Sequence, residues 1–174
     1  MNIKRYIATI ILAIVLLLNF SCTDWLDVKP VDRMSEDQLY STEAGFRQAL
    51  NGIYVELNHA DLYGDELLVN TVEILAQRYK FSSMGTLTNQ YHLAEFDYTT
   101  DYAKKCGSRI WEKAYALIAN VNKLLKNADS HKDLFTGDSY DLITGEAYAL
   151  RAFLHFDLLR LFGPVYKTHK EDKS

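Results

Sequence analysis

Proline and glycine are scarce in this chain, two and eight in 174 residues, which leaves little material for hairpins or linkers, and no low-complexity run is present. The cysteines, Cys22 and Cys106, permit at most one disulfide, and neither has a CxxC neighbour. The five histidines, His59, His92, His131, His155 and His169, form no HExxH and no i, i+4 pair, so no metal centre is expected. GxSxG, P-loop and GxGxxG motifs are missing as well, so neither a catalytic constellation nor a cofactor is expected. Carboxylates are plentiful, but a glycosidase pair is defined by spatial separation, which spacing in sequence does not supply. A basic stripe is also lacking. The longest basic cluster, Lys167, Lys170 and Lys173, is interleaved with Glu171 and Asp172, which argues against a nucleic-acid partner.

The chain does have an exported start. Lys4 and Arg5 precede an apolar run from Ile7 to Phe20, shorter than the ~20 residues that span a bilayer and matching a signal-peptide core; an uncleaved anchor is the alternative. Ser21-Cys22 follows directly. A cysteine in that place looks like a bacterial lipobox, with Cys22 as the lipidated residue, although Asn19-Phe20 depart from the commonest form. An ordinary thiol behind a conventional cleavage site, or a Cys22–Cys106 disulfide, remains the competing reading. Removing residues 1–21 leaves 17 basic and 23 acidic side chains, a formal charge of −6. The expected organisation is a signal peptide over 1–21, a lipid-anchored tether over 22–34 in which Trp25 and Leu26 can dock on the domain, and one helical domain over 35–174.

Within that domain the apolar period is helical. Ser35 with Gln38 reads as a capping box, and Thr42 as the cap of a longer helix placing Phe46, Ala49, Leu50, Ile53, Tyr54 and Leu57 on one face. A third helical segment is expected over about 65–79, on Leu68, Val72 and Leu75. Between Lys80 and Thr100 the period fails, predicting a long irregular connection, which in a compact domain is more often functional than idle. A helix from about Asp101 to Asn127 puts Trp111, Ala114, Tyr115, Ile118, Val121, Asn122 and Leu125 on one side. The last helix, from about Asp138 or Ser139 to Phe162, carries three apolar stripes and is ended by Gly163-Pro164, with a left-handed glycine turn expected. Asp157 and Arg160 can pair on it at i, i+3. The two long helices predict an antiparallel hairpin, and Trp111 and Tyr115 facing Ala147, Ala152 and Phe153 make it TPR-like. The fold class expected is therefore all-α, stacked helical hairpins with one long irregular loop. Three stripes need at least two neighbours, so one is expected to be exposed and to make the chain prone to association.

Four segments, CTDWLDVKP, TEAGFRQALNGIY, IWEKAYALIANVNKLL and GEAYALRAFLHFDLLRLFGPV, resemble the N-terminal part of the SusD/RagB family, the surface nutrient-binding lipoproteins of Bacteroidetes. The last is the most specific, with Gly-Glu-Ala, Leu-Arg-Ala-Phe and an Arg-Leu-aromatic-Gly ending; Tyr166 departs from the proline usual there. The resemblance implies an outward-facing outer-membrane lipoprotein that caps a SusC-like TonB-dependent transporter and hands it glycans or other oligomeric nutrients, and it implies no enzyme. Family members run to several hundred residues, so the resemblance implies a partial gene, a truncated non-functional relic or a short form.

Aromatic side chains crowd the irregular stretch, mixed with Asn89, Gln90 and Asp97. Rings that stack on sugar C–H faces, with amides and carboxylates taking the hydroxyls, make such a stretch a candidate glycan surface, although rings in a loop also pin it to a core. The candidate ligand residues are Tyr79, Tyr91, Tyr98 and Tyr102. The alternative function is a lipid-anchored TPR-like scaffold that binds another protein and no glycan.

Overall fold

The computed structural model describes residues 35–81 and 87–164, together with residue 7. The rest of the expected signal sequence, Cys22, the tether with Trp25 and Leu26, and Tyr166 lie outside the described residues. Six α-helices and no strand occur among the residues described. They are α1 (Glu36–Leu39), α2 (Glu43–Leu57), α3 (Thr71–Leu75), α4 (Thr88–Ala94), α5 (Asp101–Ser130) and α6 (Ser139–Phe162), with a 3-10 turn at Lys132–Leu134.

Capping sets two of the starts. The Thr42 hydroxyl accepts the Gly45 N–H at 3.1 Å at the head of α2, and the Thr100 hydroxyl accepts the Ala103 N–H at 3.3 Å at the head of α5, each relieving a donor without an intrahelical partner. At the end of α6, Gly163 is extended rather than left-handed (φ −75, ψ 159). Pro164 disfavours helical geometry in the residue before it. Glycine is needed there for closeness: a Cβ would stand 2.4 Å from the Leu159 carbonyl oxygen.

Cross-helix contacts fix the direction of each long helix. Trp111 meets Phe162, Tyr115 meets His155, the Arg151 guanidinium donates to Asn122 Oδ1 at 2.8 Å, and the Tyr140 hydroxyl donates to Asp129 Oδ1 at 2.6 Å. Rising numbers on α5 match falling numbers on α6, so the pair is the expected antiparallel hairpin. The Arg47–Ser139 and Tyr54–Glu146 hydrogen bonds rise together, placing α2 parallel to α6 and antiparallel to α5. Phe46, Leu50 and Ile53 of α2, Leu117, Val121 and Leu124 of α5, and Ala147, Leu150, Leu154 and Leu158 of α6 form the main core, each large side chain contributing about 1.5–3 kcal/mol on burial. Phe135, in the turn between α5 and α6, caps it against Phe46 with ring centroids 4.8 Å apart.

Four further expectations need correction. The segment over 65–79 is helical only at α3, because residues 59–69 close into overlapping turns in which the Asp65 carbonyl accepts from Leu68, Val69 and Asn70. Gly64 permits that closure, since a Cβ there would stand 2.4 Å from the Asn58 carbonyl oxygen. The irregular stretch likewise contains the seven-residue α4, which buries Leu93 and Ala94 in a second, smaller core with Ile74 and Ala103. Finally, α5 packs through Ile110, Ala114, Leu117, Ile118 and Val121, leaving Trp111, Tyr115 and Asn122 on its exposed side. Trp111 and Tyr115 therefore meet Phe162 and His155 rather than lying over Ala147 and Ala152. Two adjacent apolar stripes were available on α5, and the helices beside it cover one. On α6 only the Ala147–Leu150–Leu154–Leu158 stripe is buried, and two stripes rather than one face solvent.

Candidate ligand groove

Where α5 begins and α6 ends, a groove of about 570 Å³ opens between the two cores. Its floor is apolar, from Leu75 of α3, Leu93 of α4, and Ala103 and Ile110 of α5. Three rings stand along it: Tyr98, 58 % exposed, Trp111, 44 % exposed, and Phe162, which meets Trp111 edge-on with centroids 5.2 Å apart. Trp111 also lies 4.7 Å from the Tyr115 ring, which continues the aromatic row outside the groove. Lys104, Ser108 and Glu112, on α5 beside the rings, supply a cation, a hydroxyl and a carboxylate. A shallow site combining flat apolar rings with a few polar groups suits a ligand having both C–H faces and hydroxyls.

A buried polar network supports the wall behind α3 and α5. Glu66 is 1 % exposed, accepts the Thr71 hydroxyl at 2.5 Å, and has Arg109 Nη1 3.3 Å from its other oxygen. Arg109 Nε donates in turn to Asp61. This is a satisfied arrangement, as a buried carboxylate requires. Cys106, a free and buried thiol, lies beside Thr71 and Tyr102, and burial with the nearby Glu66 charge pushes its ionisation upward. Burial also raises the Tyr102 hydroxyl to about 12, with Cys106 adding to it. Both groups are protonated at neutral pH and act as packing.

The four tyrosines singled out from sequence separate. Tyr98 stands at the groove. Tyr102 is half-buried behind it against the second core. Tyr79 donates its hydroxyl to the Val69 carbonyl at 2.9 Å and meets Phe81 edge-on, which pins its own loop. Tyr91 is half-buried on α4 against His92. Neither of the last two lines the groove. Trp111, Phe162, Lys104, Ser108 and Glu112 were missed, because an aromatic at helical spacing reads as core and nothing in the sequence says which stripe remains uncovered. No group of three or more His, Cys, Asp or Glu able to hold a metal ion occurs among the described residues, and no described helix is long and apolar enough to cross a membrane.

An all-α hairpin protein with an open aromatic groove defines the class. Residues 24–174 match a SusD-like family described as starch-binding and associating with the outer membrane, and the chain belongs to that family. It is 27 % identical over 162 residues to SusD-like protein P2 of Formosa agariphila, covering 93 % of this chain and 30 % of that protein. It is 28 % identical over 153 residues to SusD-like protein P25 of the same organism, covering 84 % of this chain and 29 % of that protein. The chain thus spans about three tenths of the length of these relatives. No solved structure matches it.

Proposed function

We propose that this chain is the N-terminal part of a glycan-binding lipoprotein of the outer-membrane surface, anchored through a lipid on Cys22 and working with a SusC-like TonB-dependent transporter. On this reading residues 1–21 are the signal, 22–34 the tether and 35–174 the helical domain. Family membership supports the ligand class and the membrane association. The observation that carries the reading to particular residues is the groove in which Tyr98, Trp111 and Phe162 stand beside Lys104, Ser108 and Glu112. Rings and polar groups so mixed stack on sugar faces while meeting hydroxyls.

Titration of the chain against starch-derived and other oligosaccharides, followed by calorimetry, tests the reading. Binding that Trp111→Ala weakens and Tyr79→Ala leaves unchanged supports it. No binding to any glycan, together with co-purification with a transporter, supports the scaffold reading instead. Mass spectrometry of the mature N-terminus tests the anchor separately, and an unacylated Cys22 removes it.

A further inference from the structure

The chain turns sharply between α4 and α5, and Tyr98 sits at the turn. Phe96, at φ 59, closes α4 in the way a glycine usually does: its N–H donates to the Leu93 carbonyl at 3.0 Å and the Asp97 N–H to the His92 carbonyl at 2.9 Å. The Tyr98 N–H then returns to the Phe96 carbonyl at 3.1 Å. One carboxylate oxygen of Asp97 accepts both the Thr99 N–H at 3.0 Å and the Thr99 hydroxyl at 2.6 Å, and the other lies 3.7 Å from His92 Nδ1. Tyr98 is thus the residue that the Asp97 side chain spans, held by bonds made on either side of it. We propose that Asp97 is the positioning residue of the candidate groove: by bridging to Thr99 it fixes the backbone that stands the Tyr98 ring along the groove.

Exposure is what assigns the role to the backbone. The Tyr98 ring is 58 % exposed, so burial against a core does not set where it stands, whereas Trp111 and Phe162 brace each other. A ring free to wander gives up on binding the conformational entropy that a mounted one has already lost. Asp97 does not itself line the groove, so its effect on a ligand passes through Tyr98. The bonds from the Thr99 hydroxyl and N–H hold the Asp97 carboxyl below its ordinary range, which keeps it an acceptor at neutral pH. The start of α5 does not require Asp97, because the Thr100 hydroxyl already caps it through the Ala103 N–H. The left-handed Phe96 belongs to the same corner, since strain of that kind persists where the surrounding structure over-determines it. The role rests on the groove being the ligand site, so binding is read beside a measurement made without ligand.

Calorimetric titration of the full chain in detergent with maltoheptaose gives the first readout. Tyr98→Ala is expected to weaken binding by about tenfold, the worth of one stacked ring. Asp97→Ala is expected to weaken it severalfold, and Asp97→Asn, which keeps an oxygen for Thr99, to restore most of that loss. Asp97→Ala added to Tyr98→Ala is expected to cost nothing further. Backbone amide relaxation of the unliganded chain by NMR gives the second readout. The Tyr98 amide is expected to have an order parameter of about 0.85 in the parent and in Asp97→Asn, and to fall below about 0.6 in Asp97→Ala. A Tyr98 that stays ordered in Asp97→Ala overturns the proposal. So does an Asp97→Ala loss of the same size with the Tyr98 ring absent, which would make Asp97 a part of the fold and no mount for the ring. A parent that binds no maltoheptaose while Tyr98 loosens in Asp97→Ala upholds the mount and removes starch oligosaccharides from the groove.

Discussion

Phe96 holds a backbone angle that few residues tolerate. Its φ is 59, in the left-handed region, just past the end of α4, where glycine is the usual occupant and a side chain costs about 1–2 kcal/mol. Its ring is half exposed and repays little of that. Phe96→Gly is therefore expected to stabilise the chain by about 1 kcal/mol, read as a higher thermal midpoint; a lower one would mean that the ring is packing more than its exposure suggests. Glu66 presents the reverse situation. Truncation to alanine leaves the buried Thr71 hydroxyl without its acceptor and Arg109 with Asp61 alone, and is expected to cost about 2–3 kcal/mol in chemical denaturation, while Glu66→Gln, which keeps an acceptor for Thr71, costs less. Equal losses for the two substitutions would show that charge, not hydrogen bonding, is what Glu66 supplies.

Between elements, Glu43 ties the head of α2 to the turn that joins α5 and α6. Its carboxylate accepts the Thr136 N–H at 3.0 Å, the Thr136 hydroxyl at 2.8 Å and Arg47 Nη2 at 3.0 Å. These bonds, with the Ser139 hydroxyl foremost, hold its pKa down at about 2. A depressed pKa in the folded chain stabilises above the unfolded value and loses that contribution as pH falls through the folded one. The contribution of this tie is thus complete above about pH 4.5 and gone near pH 2. Thermal midpoints of the parent and Glu43→Gln are expected to differ at pH 7 and converge toward pH 2; a constant difference would assign the effect to shape alone. Much at this scale was legible beforehand. Thr42, the start of α5 and the Gly163 stop follow from local chemistry, and the α5–α6 hairpin follows from two long periodic helices and a short polar link. The turns after Asn58 and the seven residues of α4 were not, because their form is set by long-range burial of Leu62, Ile74 and Leu93 rather than by their own period. For the groove, density of rings in the sequence points to Tyr98, which lines it, whereas Trp111 was hidden by lying on a stripe that looks like core.

Across the whole described domain, α5 belongs to both cores. Its first turn, through Ala103, packs with Ile74, Leu93 and Ala94 in the small cluster, whereas Ala114 to Ala128 pack with α2 and α6 in the large one. Four buried side chains in the small cluster cannot match the stability of a three-helix core that buries Phe46, Leu117, Leu124, Ile143 and Leu154 almost completely. The segment from α3 through α4 is therefore expected to open below the global unfolding free energy, carrying the first turns of α5 with it. The groove, whose floor is half small cluster, opens in the same event, so ligand that bridges Tyr98 and Trp111 should suppress it. Native-state hydrogen exchange across mild denaturant checks this: amides of α4 and of residues 103–108 should exchange together and earlier than those of residues 117–128 in α5. Glu66→Ala should lower the first group alone, because the Glu66–Arg109 contact joins the turns before α3 to α5 at the boundary of the two cores. Leu154→Ala, by contrast, should lower both groups by about 2–5 kcal/mol, since it opens a cavity in the core on which everything else stands. One common exchange free energy for α4 and for the second half of α5 would show instead that the two cores unfold as one, with the groove as rigid as the hairpin beneath it.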